Sequence, residues 1–476
     1  MIAAAKPLPR AAFPAGQSAA PASSAWRIGA ALAMIFGFVC FMPYPAIPIG
    51  RQSALQIGNL LAPLLLIPAL ALPWRHRPIY LFPLILAPLV LSAVKAGLAG
   101  SSDLDLCLKA IGVWAIACLT LVVTQLYAPR YGLWLLTGIA VATLMHATVG
   151  LWQIYSFSQG EFPFVGLYVN QSFFSVQENA DIIAKYVQRP FGIFPEPSAM
   201  ACSLAPWICF WVAELCGIVR LRDQPARWQR ILFAAAAAGG LGLIILSGSG
   251  HTMITLAALA VIVIPWFRRL KATPRTFAIV LPILGILVPL ILWAASTIMS
   301  DRIAGEWQVN GSWDDRSSSL LVGFSLYAHG DLPTILFGLG VGLSPTAIWN
   351  AAGLDAVWSV LLCYLYETGL IGAAVICLIG AYLLRVWRAS GMNVAVAAIT
   401  IVWLLGITLT TSYPHLLPIW VTFGWLTVWP AICAPADPPP ARKRTIALGQ
   451  REQDPHSPRR QTWTTPLEVV NEAVSR

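Results

Sequence analysis

A chain of 476 residues that is 58% hydrophobic and 11% charged, with a mean hydropathy of +0.72, is excluded from the class of ordinary soluble domains. Apolar runs of roughly 18 or more residues recur along it, each long enough to cross a ~30 Å hydrocarbon layer. The alternating patterns of about ten residues that mark a membrane β-barrel are absent. The net charge of +10 invites a nucleic-acid partner, but the charge is distributed as a membrane topology signal and no nucleic acid is expected.

The expected fold class is therefore all-α, a polytopic integral membrane protein with about 12 transmembrane helices. Residues 1–26 are Pro/Ala-rich and carry Lys6 and Arg10; they read as a cytoplasmic N-terminal segment before a retained signal-anchor. Spans are predicted near 27–46, 54–73, 78–97, 106–126, 132–156, 197–219, 231–247, 252–267, 276–299, 356–384, 393–412 and 416–434, within a transmembrane helical domain of 27–435. Residues 436–476, rich in Pro, Arg and Gln, read as a disordered cytoplasmic tail. With both termini inside, the inner segments and the tail hold 23 of the 30 basic residues, while 12 of the 20 acidic residues fall outside. Miscounting one span would invert every later segment and destroy this sorting. The basic surplus also suits an anionic inner leaflet of the lipid bilayer.

Two predicted outer loops, 157–196 and 300–355, exceed ordinary connections and mix aromatic with charged residues. Residues 305–315 have the composition of a short amphipathic helix lying at the interface. The nine cysteines lie in apolar runs or at a span edge, with no metal-ligand spacing; Cys202, Cys209 and Cys216 would share one helix face, as small packing residues. His146 and Glu214 fall inside spans and read as hydrogen-bonded packing residues. His251, His329 and His415 fall at outer span borders, where substrate contact is open to them.

The first loop ends on Arg189-Pro-Phe-Gly-Ile-Phe-Pro-Glu-Pro-Ser198, a charged segment stiffened by prolines at the lip of a span. Charged groups next to hydrocarbon are costly, which points to chemistry or ligand capture. The second loop holds Asp314-Asp315-Arg316-Ser-Ser-Ser319 and Phe337-Gly-Leu-Gly-Val-Gly342; Tyr364-Leu-Tyr-Glu-Thr-Gly-Leu-Ile-Gly372 follows. Gly338, Gly340 and Gly342 permit tight turns and close backbone approach to a bound group, but their spacing and context do not make a dinucleotide fingerprint.

Together, Arg-x-x-Gly-x-Phe-x-Glu-Pro-Ser, an Arg/Ser-rich outer loop, Phe-Gly-x-Gly-x-Gly and Glu-x-Gly-Leu-x-Gly resemble the O-antigen polymerase/ligase superfamily (Wzy-type) over residues 189–372, nearest to exopolysaccharide repeat-unit polymerases. The resemblance implies a multi-pass protein of the bacterial cell inner membrane whose outer loops are periplasmic. It implies a glycosyltransferase of exopolysaccharide biosynthesis, a polysaccharide polymerase joining undecaprenyl-diphosphate-linked oligosaccharide repeats, with a co-polymerase and export machinery as partners. Carried over, Arg189, Glu196 and Arg316 match catalytic positions; Arg302, Gly338, Gly340, Gly342, Trp358, Glu367 and His251 are the candidate substrate-binding residues. Ligases of the superfamily place a His where this chain has Trp358, and the Ser247–His251 turn lacks the Arg often found there. Both departures favour a polymerase over a ligase that moves finished polymer to another acceptor.

The chemistry fits these residue types. Expulsion of a lipid diphosphate builds negative charge that arginine can meet without metal, since a guanidinium is permanently charged and grips phosphate oxygens bidentately. A carboxylate near the interface, Glu196 first and Glu367 second, would assist the acceptor hydroxyl. No metal and no cofactor are expected. Each residue also has a structural reading: Arg189 as an interfacial anchor, Arg316 as a partner of Asp314 or Asp315, Glu196 as a helix cap before Pro197, Glu367 as a partner of Lys109 or another intramembrane group. A transporter or flippase for the same lipid is the alternative from another class, with Pro63, Pro68, Pro282 and Pro289 interrupting spans.

Overall fold

The computed structural model describes residues 24–50, 53–69, 72, 78–100, 103–168, 180–184, 188–269, 312–354, 357–409 and 414–434. They are mostly helical: α1 (Ser24–Val39), α2 (Ile57–Ala69), α3 (Leu81–Leu98), α4 (Leu104–Ser158), the single turn α5 (Ala180–Ile182), α6 (Pro197–Leu215), α7 (Arg227–Leu246) and α8 (His251–Arg269). The remaining helices are α9 (Ser312–Ala328), α10 (Leu332–Phe337), α11 (Ser344–Ala352), α12 (Val360–Ala389), α13 (Val394–Leu409), α14 (Leu417–Thr427) and α15 (Trp429–Ile432). A small antiparallel hairpin, β1 (Ala46–Gly50) with β2 (Ser53–Gln56), pairs Ile47 with Leu55.

Among the described residues five helices, α3, α4, α6, α7 and α12, are long and apolar enough to cross a membrane. Helix occurs at every expected span except 276–299, which lies outside the described residues; α1, α2, α8, α13 and α14 are the shorter apolar ones.

At 55 residues, α4 would be about 82 Å long if straight, but its two halves run in opposite senses. Pro129 and the non-helical Tyr131 (φ −126°, ψ 20°) break it. In the first half Trp114, Leu121 and Gln125 meet Trp420, Gly424 and Thr427 in turn, so this half parallels α14. In the second half Thr137 and Gly150 meet Gln229 and Leu243, so that half parallels α7. Helices α6 and α7 are antiparallel, with Glu214 beside Arg230 and Ile208 beside Gly240. The stretches that follow α6 and α15 meet at Leu221 and Cys433, which makes α6 and α14 parallel.

These senses define two ends. Arg27, Arg130, Arg220, Arg222, Arg227, Arg230, Arg385 and Arg388 lie at one end. Lys95, Asp103, Asp105, Lys109, Glu161, Arg189, Glu196 and Asp331 lie at the other. The charge asymmetry read from the chain is thus a spatial fact, a basic end and a mixed, acid-richer end. Between them edge-on aromatic pairs fill the core, including Phe41–Trp207, Trp207–Trp425 and Phe210–Trp429.

At the acid-richer end α12 is interrupted by Gly369 (φ 65°, ψ −151°), against which Gly338 (φ 82°) lies backbone to backbone. A Cβ on Gly338 would fall 2.2 Å from the Glu367 carbonyl carbon, and one on Gly369 would fall 2.6 Å from the Gly338 nitrogen. Only glycine meets both the left-handed backbone and this approach. Gly338→Ala and Gly369→Ala are therefore expected to lower the melting temperature in detergent sharply, or to prevent accumulation of folded protein. Gly380→Ala, on the same helix with nothing within 4 Å of the added carbon, should leave the melting temperature nearly unchanged.

Candidate functional site

The segment 188–196 crosses the acid-richer end as a strap, with Phe191, Ile193 and Phe194 buried. Prolines 190, 195 and 197 remove N–H groups that would need partners, and side chains of α4 satisfy several of those that remain. Gln153 Oε1 accepts from the Phe191 and Gly192 N–H groups at 2.9 Å each, and its amide donates to the Gly192 carbonyl at 2.9 Å and the Tyr168 hydroxyl at 2.7 Å. Two helical turns earlier His146 lies on the same face. Its Nδ1 accepts from the Ile193 N–H at 3.1 Å, so Nε2 carries the proton and donates to the Phe41 carbonyl at 2.6 Å. A Cβ on Gly192 (φ 60°) would lie 2.8 Å from His146 Nδ1, which accounts for the glycine. His146 is thus the hydrogen-bonded packing residue expected. Tyr168 also donates to the Gly192 carbonyl, and burial raises its phenol pKa.

The ends of the strap hold the two charged candidates. Arg189 donates through Nε to the Ser247 carbonyl at 2.7 Å and through an Nη to the Gly248 carbonyl at 2.9 Å. These carbonyls close the C-terminus of α7, where a cation is favoured. Glu196 is the N-cap residue of α6, extended at φ −156° and ψ 161° with Pro197 opening the helix. Its carboxylate makes no backbone cap bond; it accepts from the Ser198 hydroxyl instead.

The Ser247–His251 turn beneath Arg189 is tied internally, with the Ser249 N–H reaching the Ser247 hydroxyl and the His251 N–H the Ser249 hydroxyl, both at 3.3 Å. It delivers His251 to the start of α8, fully buried, with both ring nitrogens lacking a hydrogen-bond partner among the described residues. The absence of a side chain at Gly406 makes the space. A Cβ there would lie 2.5 Å from Cys202 Sγ and 3.3 Å from His251 Cε1.

A second cluster stands at the same end, on α3, α11 and α12. The buried Glu367 accepts from the Ser344 hydroxyl at 2.7 Å and from the backbone N–H groups of Gly342 and Ser344 at the head of α11. Cys363 Sγ lies 3.5 Å away. Gly340 (φ 119°) and Gly342 (φ 74°) turn the chain around this carboxylate. Lys95 donates to Thr334 Oγ1 and the Gly338 carbonyl, both at 3.1 Å. Asp331 caps α10 by accepting from the Thr334 N–H at 3.0 Å; its hydrogen bonds to Thr334 hold its pKa below the ordinary carboxylate value. Of the two partners expected for Glu367, Lys109 is corrected, since it lies on the exposed side of α4, 3.9 Å from Asp105, and the other, a second buried group, is Ser344.

Arg189, Glu196, His251, Gly338, Gly340, Gly342 and Glu367 therefore share one end of the bundle, with Trp358 just ahead of α12 there. Arg316 lies on α9 by its backbone, while its side chain and the whole of Arg302 lie outside the described residues. The 305–311 part of the expected interfacial helix lies outside them too, and α9 begins at Ser312. Among the described residues no three His, Cys, Asp or Glu side chains gather as a metal-binding group. Gln153, Lys95, Ser92 and Ser344 were not singled out from the chain. A polar residue two turns from His146, inside an otherwise apolar run, was the available signal for Gln153. Comparison with protein-family models, curated proteins and solved structures finds no match.

Two measurements check this geometry. Gln153→Leu strands two buried N–H donors, each costing ~1–3 kcal/mol, so hydrogen exchange across 191–193 should accelerate by tenfold or more. The Asp331 cap contributes stability above the ordinary carboxylate pKa and loses it as pH falls through the lowered value. Melting temperatures of wild type and Asp331→Asn, a neutral capping residue, should therefore converge on acidification.

Proposed function

We propose that this chain is a polymerase that joins undecaprenyl-diphosphate-linked oligosaccharide repeats into an exopolysaccharide at the outer face of a bacterial inner membrane. The observation that carries the reading is the strap. A cation and a carboxylate seven residues apart are fixed at one end of an apolar bundle, the end opposite the arginine cluster. The motif order resembling the O-antigen polymerase/ligase superfamily supports it from the sequence side.

Twelve spans with both termini cytoplasmic are part of the same proposal. The opposed halves of α4 and the charge sorting between the two ends support that count. A fluorescent protein fused after Arg476 is expected to fluoresce and a periplasmic phosphatase fused there to be silent. The reverse result would invert the site to the wrong face.

In the reaction, the acceptor hydroxyl attacks the anomeric carbon of the growing chain. The bond to the diphosphate oxygen breaks with its electron pair leaving on lipid diphosphate, and the hydroxyl proton passes to a carboxylate. Glu196 is the assigned base, held by Ser198. Arg189 and Arg316 are assigned to the diphosphates, with Arg302, His251, Trp358, the Gly338–Gly342 turn and Glu367 around the sugar–lipid substrate. Purified protein in liposomes carrying the lipid-linked repeat in the outer leaflet should yield a ladder of products. Glu196→Gln should lower that rate by ~10²-fold or more with unchanged hydrogen exchange at 191–193. Gene loss should leave single repeats on lipid; long polymer retained on its carrier would instead identify a ligase.

Arg189→Lys is expected to fail as Arg189→Ala does, because one ammonium cannot reproduce a guanidinium's bidentate grip on phosphate oxygens. If Arg189 only anchors the strap, its loss of activity will track a loss of exchange protection at 191–193. Lost activity with protection intact is the outcome expected for a diphosphate ligand.

A further inference from the structure

The basic end carries a structure that the proposed chemistry does not use. Three helices bring a row of rings together there. Trp26 of α1 lies 6.3 Å from both Tyr131 and Trp134 of the second half of α4, and Trp134 lies 6.3 Å from Trp228 of α7. This row is not core, since Trp228 is 51% exposed and Trp26 and Trp134 are only partly buried. Each helix carries an exposed arginine next in sequence to its ring, Arg27 after Trp26 and Arg227 before Trp228, and Arg130 stands 5.6 Å over the Tyr131 ring.

These three arginines differ from their neighbours. Arg222 donates to the Pro430 carbonyl at 2.9 Å, and Arg230 lies 4.0 Å from Glu214 and 3.3 Å from the Gln224 amide oxygen. Arg27, Arg130 and Arg227 have no carboxylate partner among the described residues. On α7 Ile231, three residues after Trp228 and so on its face, is 62% exposed, an apolar flank continuing from the aromatic row.

Tryptophan settles at the head-group level, where one edge is wet and one apolar. Guanidinium groups bind phosphate oxygens in planar pairs, and basic seats between membrane helices suit anionic head groups. We infer that the Trp26–Trp134–Trp228 row with Arg27, Arg130 and Arg227 is a binding seat for the head group of an anionic phospholipid in the leaflet at the basic end, the acyl chains lying along Ile231. This goes beyond the polymerase reading and stands whether or not polymer forms at the opposite end.

The test is native mass spectrometry of the full chain released from nanodiscs holding phosphatidylglycerol and phosphatidylcholine in equal amounts. Wild type is expected to retain phosphatidylglycerol by tenfold or more, because each basic residue near the surface contributes about fivefold (~1 kcal/mol). Arg27→Gln/Arg130→Gln/Arg227→Gln should bring the two lipids near parity. Arg385→Gln/Arg388→Gln, at the same end on α12, should keep the preference. Equal loss in that control, or no preference in wild type, would overturn the seat. Soluble glycerol phosphate that displaces the lipid at equal concentration would show a free-anion site and refute the lipid assignment. Should the triple variant not fold, Arg227→Gln alone must lower the preference several-fold.

Discussion

A backbone segment that turns inside an apolar bundle must find partners for its N–H and C=O groups, because neither hydrocarbon nor apolar side chains supply them. Residues 191–193 meet this constraint through side chains of one helix. Gln153 satisfies two N–H groups and a carbonyl, and His146 satisfies a third N–H. The arrangement is demanding because an amide has one acceptor end and one donor end, and here both are matched to neighbouring atoms of one turn. With these contacts the strap has one path, and the positions of Arg189 and Glu196 follow from it. Proline lowers the number of partners required, and Gly192 lets the backbone approach the imidazole.

The Glu367 cluster solves a related problem differently. A buried carboxylate is costly unless hydrogen-bonded, and Glu367 receives donors from the head of α11, so one charge is satisfied while a helix terminus is satisfied too. The break at Gly369 frees carbonyls just upstream, and these are also taken up: the Tyr366 carbonyl accepts from the Leu339 N–H at 2.8 Å, and the Glu367 carbonyl accepts from the Ser92 hydroxyl. Lys95 then fastens the same turn from α3. Both clusters use polar groups projecting from long helices to immobilise non-helical chain at one end of the bundle. The opposite end uses the same device on a smaller scale: the Asn393 amide donates to the Ile218 carbonyl at 3.1 Å, and Arg222 donates to the Pro430 carbonyl at 2.9 Å.

Much of this was legible in the chain because membrane helices obey simple rules. Length and hydropathy located the helices, and the reversal between 126 and 132 was visible in Pro129 and Arg130 interrupting one apolar run. Charge sorting foretold two unlike ends. The role of Gly338 was half legible: close approach was expected, but of a ligand, whereas the approaching group is the backbone at Glu367 and Gly369. Lys109 was one of two partners weighed for Glu367 because spacing along the chain does not reveal which face of α4 a residue occupies, and that face is exposed. Gln153 escaped attention for a related reason. Its place two turns from His146 in an apolar run was the one local signal, and the 55-residue helix carries Gln125 as well; the role of Gln153 arises only when a loop 39 residues away folds onto it.

The contacts of Arg189 change what a guanidinium at that place can do. A surface arginine gains little from an anion because ordering its long side chain cancels much of the attraction. Here Nε and one Nη are already fixed on the Ser247 and Gly248 carbonyls, so the side chain has been ordered by folding and its charge is held in a set plane. Any anion reaching that charge meets a preorganised cation, the condition under which electrostatic stabilisation of a developing charge is largest. The carbonyls temper the field, since they place negative dipole ends against the same cation. They also explain why an arginine and not a lysine stands there. The fork that suits a phosphate also suits two successive carbonyls at a helix end, and one residue type therefore satisfies the anchor whether or not an anion later shares it.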